Sequence, residues 1–307
     1  MDQRPFGRTG LSVTPIGFGL AAVGRPGYIT LGRDDDLGTE RSVAALERRS
    51  HELLDAAYDV GVRYVDAARS YGFAERFLSS WLAHRRRTPA DLTVGSKWGY
   101  TYVGDWHVDA KVHEVKDHSL AALVRQIAES RALLGDFLDL YQIHSATLES
   151  GVLQDQRVLT ELNRLRESGL VIGLSVSGPR QAAVIRRALT VEADGVNPFQ
   201  SVQATWNLLE PSAGPALAEA HAAGWGVIVK EALANGRLAS RDATAISAAL
   251  ANPWVDTVLS GAATTEQLRS NLRALELRPS AAELEDLLKG AEPADLYWKE
   301  RSALPWT

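Results

Sequence analysis

The sequence contains no cysteine among its 307 residues. This absence excludes disulfide bonds and metal sites built from thiolates, and it fits a reducing compartment. No apolar run reaches the roughly 20 residues that a helix needs to cross a bilayer. An excess of basic charge is also lacking, because the formal net charge is -5 and no basic stripe is visible. We therefore expect a cytoplasmic, soluble protein with no nucleic-acid or membrane partner.

A recognisable metal-binding pattern is missing as well. Three histidines, His107, His113 and His118, lie in one polar segment. Without cysteine and without an H-E-x-x-H pattern, this spacing is more typical of a solvated loop than of a metal site. We expect no metal.

What the chain does contain is a regular alternation of strand and helix patterns. Eight short apolar runs are each followed by a helical pattern, and these runs cover residues 16–20, 62–67, 92–96, 137–143, 171–176, 201–204, 226–229 and 257–259. Eight such units within about 250 residues predict an α/β fold, a closed (β/α)8 TIM barrel. The alternative, an open doubly wound sheet, calls for a G-x-G-x-x-G fingerprint that is absent.

The ends of the chain add to this barrel. A Thr-Gly pair within residues 6–13 predicts an N-terminal β-hairpin, and residues 281–288 predict an extra C-terminal helix before a tail. No internal repeat and no Pro/Ser-rich linker is visible. We therefore expect one domain over residues 1–307.

Three of the predicted strands end in an ionisable residue. Asp66, Lys97 and His144 close the second, third and fourth strands, and Tyr71 follows in the loop after the second. Active sites of (β/α)8 barrels lie at the C-terminal ends of the strands. The four side chains are therefore expected to share one mouth, although a structural ion pair, a packed tyrosine and a core histidine are the plainer alternatives. A lysine in this place also suits a Schiff-base aldolase.

Three segments around these residues resemble the aldo-keto reductase family. They read YVDAARSYG at 64–72, SKWG at 96–99 and LYQIH at 140–144. The resemblance implies a barrel that binds a nicotinamide dinucleotide without a Rossmann domain. It also implies a catalytic tetrad of Asp66, Tyr71, Lys97 and His144 and an NAD(P)(H)-dependent interconversion of a carbonyl compound and an alcohol. A regulatory protein that keeps the cofactor on the same barrel is the alternative.

The chemistry of the four side chains agrees with that implication. Reduction of a carbonyl needs a proton donor near the developing alkoxide. Tyr71 would act as the acid in reduction and as the base in oxidation. A buried ammonium at Lys97 is expected to lower the pKa of the phenol from its ordinary ~10. Asp66 would hold the lysine charged, and His144 would orient the substrate carbonyl.

The resemblance also implies a set of cofactor-binding positions. These are Gly19, Leu20, Ala21, Asp66, Ser175, Gln203, Lys230, Glu231, Ala232, Leu233, Asn235, Gly261, Ala262, Ala263, Thr264, Gln267, Ser270 and Asn271. Lys230 stands where the family usually places an aromatic residue against the nicotinamide. We expect its methylene stem to cover the ring or its ammonium to reach the pyrophosphate.

Cofactor preference and substrate are indicated less directly. Relatives selective for NADP(H) carry Lys and Arg where this chain has Gly261 and Gln267, so NAD(H) is the alternative to the family's usual NADP(H), which we expect. Trp98, Tyr100 and Trp106 are predicted to line a pocket for a small carbonyl or alcohol substrate. Alternatively, these three aromatic residues pack beneath the loop predicted over residues 98–116. Trp298 and Trp306 in the tail are predicted to cover the mouth, and no pattern indicates an oligomeric state.

Overall fold

The computed structural model describes residues 1–307. Eight parallel strands form a closed barrel, and they are β3 (Ile16–Gly19), β4 (Tyr64–Asp66), β5 (Thr93–Trp98), β8 (Leu138–Ala146), β9 (Val171–Val176), β10 (Ser201–Thr205), β11 (Gly226–Lys230) and β12 (Thr257–Ser260). Around the barrel their order is β10-β11-β12-β3-β4-β5-β8-β9. The predicted (β/α)8 barrel is therefore confirmed.

Helices surround the barrel, and eleven are present. They are α1 (Arg33–Leu37), α2 (Val43–Asp59), α3 (Ala74–His84), α4 (Leu120–Leu134), α5 (Gln156–Glu167), α6 (Gln181–Leu189), α7 (Gly214–Ala222), α8 (Asp242–Leu250), α9 (Thr265–Leu272), α10 (Ala281–Leu288) and α11 (Ala294–Ser302). Ser42 and Ser119 cap α2 and α4 by accepting backbone N–H bonds from Ala45 and Ala122, which satisfies donors that a helix start leaves free. None of the helices combines the length and the apolar character needed to span a bilayer.

The barrel strands are continuous apolar runs because both of their faces are covered. Every residue of β5, β9 and β10 is buried. The N-terminal end of the barrel is closed by the predicted hairpin, in which β1 (Arg4–Pro5) pairs with β2 (Ser12–Val13). Phe6 next to this hairpin is fully buried and stacks on Tyr64 with ring centroids 6.4 Å apart. The opposite, C-terminal end of the barrel is thus the end left for a site.

Two parts of the fold differ from the predicted pattern. Residues 98–116, predicted as a loop, contain a second hairpin of β6 (Tyr100–Tyr102) and β7 (Glu114–Lys116). The tail contains α11, whose apolar residues Leu296, Tyr297 and Trp298 are adjacent and therefore show no helical spacing. Tyr297 and Trp298 are buried in a small cluster with Leu208 and Leu238, so contacts with the barrel rim hold this helix in place.

Candidate active site

The centre of the C-terminal barrel end is a buried ion pair. Asp66 is the last residue of β4, and Lys97 lies on the neighbouring β5. The lysine ammonium contacts Asp66 Oδ1 and donates to the Ala67 carbonyl at 3.0 Å. The two side chains, of Lys97 and Asp66, are 0% and 2% exposed. Charges removed so completely from water need such partners to remain charged.

The second carboxylate oxygen of Asp66 is also held. Its Oδ2 accepts hydrogen bonds from the Tyr64 hydroxyl at 3.1 Å and from Gln203 Nε2 at 2.9 Å. One donor thus comes from the residue two before Asp66 and the other from β10 across the barrel interior. They leave the carboxylate no freedom to turn, so the direction of the Lys97 ammonium is fixed as well.

Tyr71 and His144 meet directly above this pair. Their rings are 5.4 Å apart at 86°, and Lys97 Nζ lies 4.9 Å from the centre of the Tyr71 ring. The Tyr71 hydroxyl makes no hydrogen bond to protein, and Tyr71 lines the main cleft. The structure therefore brings together all four residues predicted as a tetrad.

The backbone just after His144 is bent to aim this ring. Ser145 has a φ of 51°, in the left-handed region that non-glycine residues seldom adopt. Its N–H donates to Ser175 Oγ at 2.8 Å, and His144 Nδ1 is 3.3 Å from Ser70 Oγ. Ser175, predicted to bind the cofactor, is fully buried and uses its hydroxyl here. It therefore supports the position of His144 instead of lining the cleft.

The protonation states differ from expectation at Tyr71. Burial raises the pKa of Tyr71 well above 10, and the Asp66 charge raises it further, against the lowering effect of Arg25. The net shift of the Tyr71 pKa is thus opposite to the lowering expected from Lys97, because burial and the Asp66 charge outweigh the effect of nearby cations. Burial and then the Lys97 charge hold the pKa of His144 well below 6.5. Both side chains are therefore neutral at pH 7.

A long cleft leads away from Tyr71. Its empty volume is about 1030 Å³, including the open mouth, and it runs from the barrel centre to the start of α9. Most of the positions predicted for the cofactor line it, namely Gly19, Ala21, Asp66, Gln203, Lys230, Glu231, Ala232, Leu233, Asn235, Gly261, Ala262, Gln267 and Asn271. The predicted positions that do not line it are Leu20, Ser175, Ala263, Thr264 and Ser270.

These positions have structural roles that explain their absence from the cleft. Leu20 is a core residue with no exposure. Thr264 caps α9 by accepting from the Gln267 N–H at 3.2 Å. The Ala263 N–H donates to the Gln267 side chain at 2.9 Å, and Ser270 accepts from Arg273 at 2.6 Å. The last three groups shape the α9 end of the cleft without lining it.

A segment that was not predicted to take part roofs the cleft. Residues 28–31, which we call the strap, cross from the loop after β3 to the loop after β11. The Leu31 N–H donates to the Asn235 carbonyl at 3.0 Å, and Asn235 Nδ2 donates to the Ile29 carbonyl at 2.8 Å. The strap is also paired with the tail, since Tyr28 and Thr307 exchange two backbone hydrogen bonds of 3.0 Å. No periodic pattern in residues 24–46 signals this crossing.

Lys230 lines the cleft, and its ammonium is held by two hydroxyl groups. Its ammonium donates to Thr205 Oγ1 at 2.9 Å and to Ser177 Oγ at 3.3 Å, which are residues at the ends of two other barrel strands. The neighbouring Glu231 is paired with Arg301 of α11 and accepts from Thr205 Oγ1 at 2.8 Å. The ammonium therefore points toward the ends of β9 and β10, while the tail helix is anchored through Glu231.

The aromatic residues predicted for the substrate separate into different environments. Tyr100 lies 5.1 Å from the His144 ring and is half-buried. Trp98 is fully buried. Trp106 stacks on Phe73 at 4.8 Å and donates to the Arg41 carbonyl at 2.8 Å, which is the packing alternative. None of the three lines the main cleft.

Arg25 is a residue of the mouth that the sequence did not reveal. It is 2% exposed and donates to the Ser70 carbonyl at 2.9 Å and to Glu114 at 2.8 Å. Its guanidinium lies 5.4 Å from the Tyr71 ring and 4.7 Å from the Trp306 ring. Trp306 also stacks on His113 at 4.0 Å. The tail thus covers this side of the mouth, as predicted for Trp306.

A closed (β/α)8 barrel with Asp, Tyr, Lys and His gathered at the strand ends defines the class of protein. The family model "Aldo/keto reductase family" matches residues 16–249. The chain belongs to the aldo/keto reductase family, whose members are carbonyl–alcohol oxidoreductases that generally use NAD(P)(H).

Individual relatives are distant. Norsolorinic acid reductase of Aspergillus flavus is 26% identical over 202 residues, which are 64% of this chain and 48% of that protein. Pyridoxal 4-dehydrogenase of Microbacterium luteolum is 28% identical over 223 residues, 63% of this chain and 59% of that protein. The chain thus spans about half the length of these curated relatives. The solved aldo-keto reductase AKR11C1 of Bacillus halodurans in its holo form superposes with a TM-score of 0.72 at 21% identity, covering 96% of this chain and 97% of that one.

Proposed function

We propose that this protein, as a single barrel domain, catalyses the NAD(P)(H)-dependent interconversion of a small carbonyl compound and an alcohol. The observation that carries the proposal is the unpartnered Tyr71 hydroxyl, which faces the cleft beside the buried Asp66–Lys97 pair. The names of two relatives, a reductase and a dehydrogenase, are compatible with either direction.

In this proposal the four side chains divide the proton transfer and the positioning. Tyr71 is protonated at pH 7 and donates its proton to the carbonyl oxygen as that oxygen gains charge. Neutral His144, whose Nε2 has no protein partner, holds the same oxygen by a hydrogen bond. The charge of Lys97 stabilises the phenolate that remains, and Asp66 keeps the ammonium in place. In oxidation the same groups act in reverse.

The cleft fits a dinucleotide. The bound cofactor would supply or accept the hydride. Gln203 and Lys230 lie at the Tyr71 end, and Gln267 and Asn271 lie at the α9 end. Asn235 Oδ1 is buried without a hydrogen-bond partner in a residue that lines the cleft. A buried acceptor of this kind is costly when unpaired, and a ribose hydroxyl would satisfy it.

The lining supports NAD(H) over the NADP(H) that the family base rate favours. Lys230 is the only basic residue of the cleft and lies at the Tyr71 end, whereas the α9 end carries the carboxylate of Asp242. A carboxylate suits the 2′-hydroxyl of a ribose and repels a 2′-phosphate. We therefore propose NAD(H) as the preferred cofactor.

The test is the substitution Tyr71→Phe, which removes only the proton donor. We expect turnover with aldehyde and sugar substrates to fall by about 10²-fold or more, while the Kd for NADH changes by less than about twofold. Turnover is measured from NADH absorbance, and binding is measured by titration calorimetry. Near-wild-type turnover in this variant would defeat the assignment of Tyr71.

The alternatives give different results in the same experiments. A regulatory protein on this barrel would bind NADH, but it would not oxidise NADH with any carbonyl compound of a broad panel. A Schiff-base aldolase gives a covalent adduct on Lys97 after borohydride treatment. The latter is disfavoured because the Lys97 ammonium is wholly buried against Asp66 and does not line the cleft.

A further inference from the structure

Lys230 is the only basic residue that lines the cleft, and its ammonium has no carboxylate partner. Lys97 is paired with Asp66, Arg25 with Glu114 and Arg301 with Glu231. The two partners of the Lys230 ammonium, Thr205 Oγ1 and Ser177 Oγ, are both uncharged hydroxyl oxygens. The Tyr71 end of the cleft therefore carries one positive charge that no direct ion pair compensates.

This charge is held in place. Thr205 Oγ1 donates its own proton to Glu231 at 2.8 Å and so presents a lone pair to the lysine. Ser177 Oγ is itself 3.1 Å from Ser145 Oγ. The ammonium also lies 5.9 Å from the Trp298 ring, whose face attracts cations. A cation fixed by several contacts cannot swing away when a ligand enters.

The two oxidation states of a nicotinamide dinucleotide differ in charge at one place only. The oxidised ring carries a positive charge, and the reduced ring is neutral, whereas the pyrophosphate and adenosine parts are the same. A fixed cation near the ring therefore weakens the binding of the oxidised form and leaves that of the reduced form nearly unaffected.

Resting on the function proposed above, we propose that Lys230 makes the cleft discriminate between the oxidation states of its cofactor. It weakens the binding of the oxidised dinucleotide and thereby shifts the equilibrium between the enzyme-bound complexes toward the carbonyl compound and the reduced dinucleotide. The alcohol loses a hydride to the ring and a proton to the phenolate form of Tyr71, whose own proton has first passed to solvent, so a carbonyl compound and the reduced dinucleotide are formed.

The size of the effect follows from Coulomb's law. A unit charge about 7 Å from another in a medium of effective dielectric constant about 20 changes a ratio of binding constants by on the order of 50-fold. Solvent at the open mouth reduces this value. We therefore expect the ratio of Kd for NAD+ to Kd for NADH to fall by about tenfold when the charge is removed.

The experiment compares the wild type with Lys230→Met, which keeps an unbranched stem without charge, and Lys230→Arg, which keeps the charge. Lys289→Met removes a charge at an exposed position outside the cleft lining and serves as a matched control. Kd values for NAD+, NADH and ADP-ribose are measured by calorimetry at pH 7, with circular dichroism to verify folding. Lys230→Gln replaces the methionine variant if that variant fails to fold.

We expect Lys230→Met to bind NAD+ more tightly than the wild type does, with little change in its affinity for NADH. The Lys230→Arg variant and the Lys289→Met control should keep the wild-type ratio of the two Kd values. ADP-ribose, which has no nicotinamide ring, should follow NADH. An unchanged ratio of the Kd values for NAD+ and NADH in Lys230→Met would overturn the inference. An equal loss of affinity for NAD+, NADH and ADP-ribose would also overturn it, because it would place the ammonium on the pyrophosphate. Failure of the proposed function is distinguishable, because the wild type then either binds neither dinucleotide or binds NADH without oxidising it in the presence of any carbonyl compound.

Discussion

The buried ion pair of Asp66 and Lys97 gives a prediction about stability that activity assays would miss. Replacing Lys97 by Met leaves a carboxylate with only the neutral donors of Tyr64, Gln203 and Gln142. Replacing Asp66 by Asn leaves an ammonium with only neutral acceptors, the Asn amide oxygen and the Ala67 carbonyl. Each single change leaves an unpaired charge in the barrel interior.

The expected magnitude follows from the burial of the pair. Side chains that are 0% and 2% exposed gain almost nothing from solvent after their partner is lost. Breaking a buried pair from one side typically costs about 3–5 kcal/mol, against a total stability of about 5–15 kcal/mol. The double variant Asp66→Asn/Lys97→Met leaves no buried charge, so it should be clearly more stable than the sum of the single losses implies.

The assay is equilibrium urea unfolding followed by tryptophan fluorescence for the four proteins of this cycle. The exposed pair Lys289–Asp286, at 2.7 Å and with side chains 74% and 73% exposed, provides a matched control cycle. We expect no measurable coupling there, because water screens such pairs. If the Asp66–Lys97 cycle shows as little coupling as this surface pair, the reasoning about the buried charge is refuted.

Three further predictions concern single side chains. Burial raises the pKa of the Asp139 carboxyl to about 6, so the folded state binds this proton more tightly than the unfolded state. As the pH rises from about 4 to 7, the stability of the wild type should therefore fall relative to that of Asp139→Asn. Urea unfolding measures this difference. Ser70→Ala frees Nδ1 of His144, and we expect kcat to fall several-fold with the Kd for NADH unchanged; Ser70→Thr, which keeps the hydroxyl, should recover most of the loss. Asp242→Asn should improve the binding of 2′,5′-ADP relative to 5′-AMP several-fold, as measured by calorimetry. An unchanged ratio of the two Kd values would show that Asp242 does not determine the cofactor preference.

Local sequence patterns were sufficient for the barrel and for the centre of the site. Each barrel strand is an apolar run with a clear end, so the chain positions of Asp66, Lys97 and His144 alone placed these residues on one rim. Tyr71 followed because its loop is short. The cofactor positions were implied by the resemblance to the aldo-keto reductase family, and most of them line the cleft.

The remaining features depend on contacts between segments that are distant in sequence. Arg25 reaches the mouth only because Ser70 and Glu114 hold it, and the direction of the Lys230 ammonium is decided by hydroxyls that follow two other strands. Trp106 could not be separated from pocket residues by type alone. The raised pKa of Tyr71 likewise reflects its burial, which no spacing of residues along the chain reports.

The strap has a consequence for the timing of turnover. Its two hydrogen bonds to Asn235 convert an open groove into a passage that is covered in the middle. A ligand that occupies both ends of this passage can leave only after the covering segment lifts, and loop motions of this kind occur on the microsecond-to-millisecond scale. We therefore expect the residence time of a ligand in this cleft to depend on how often residues 28–31 detach, as well as on its affinity.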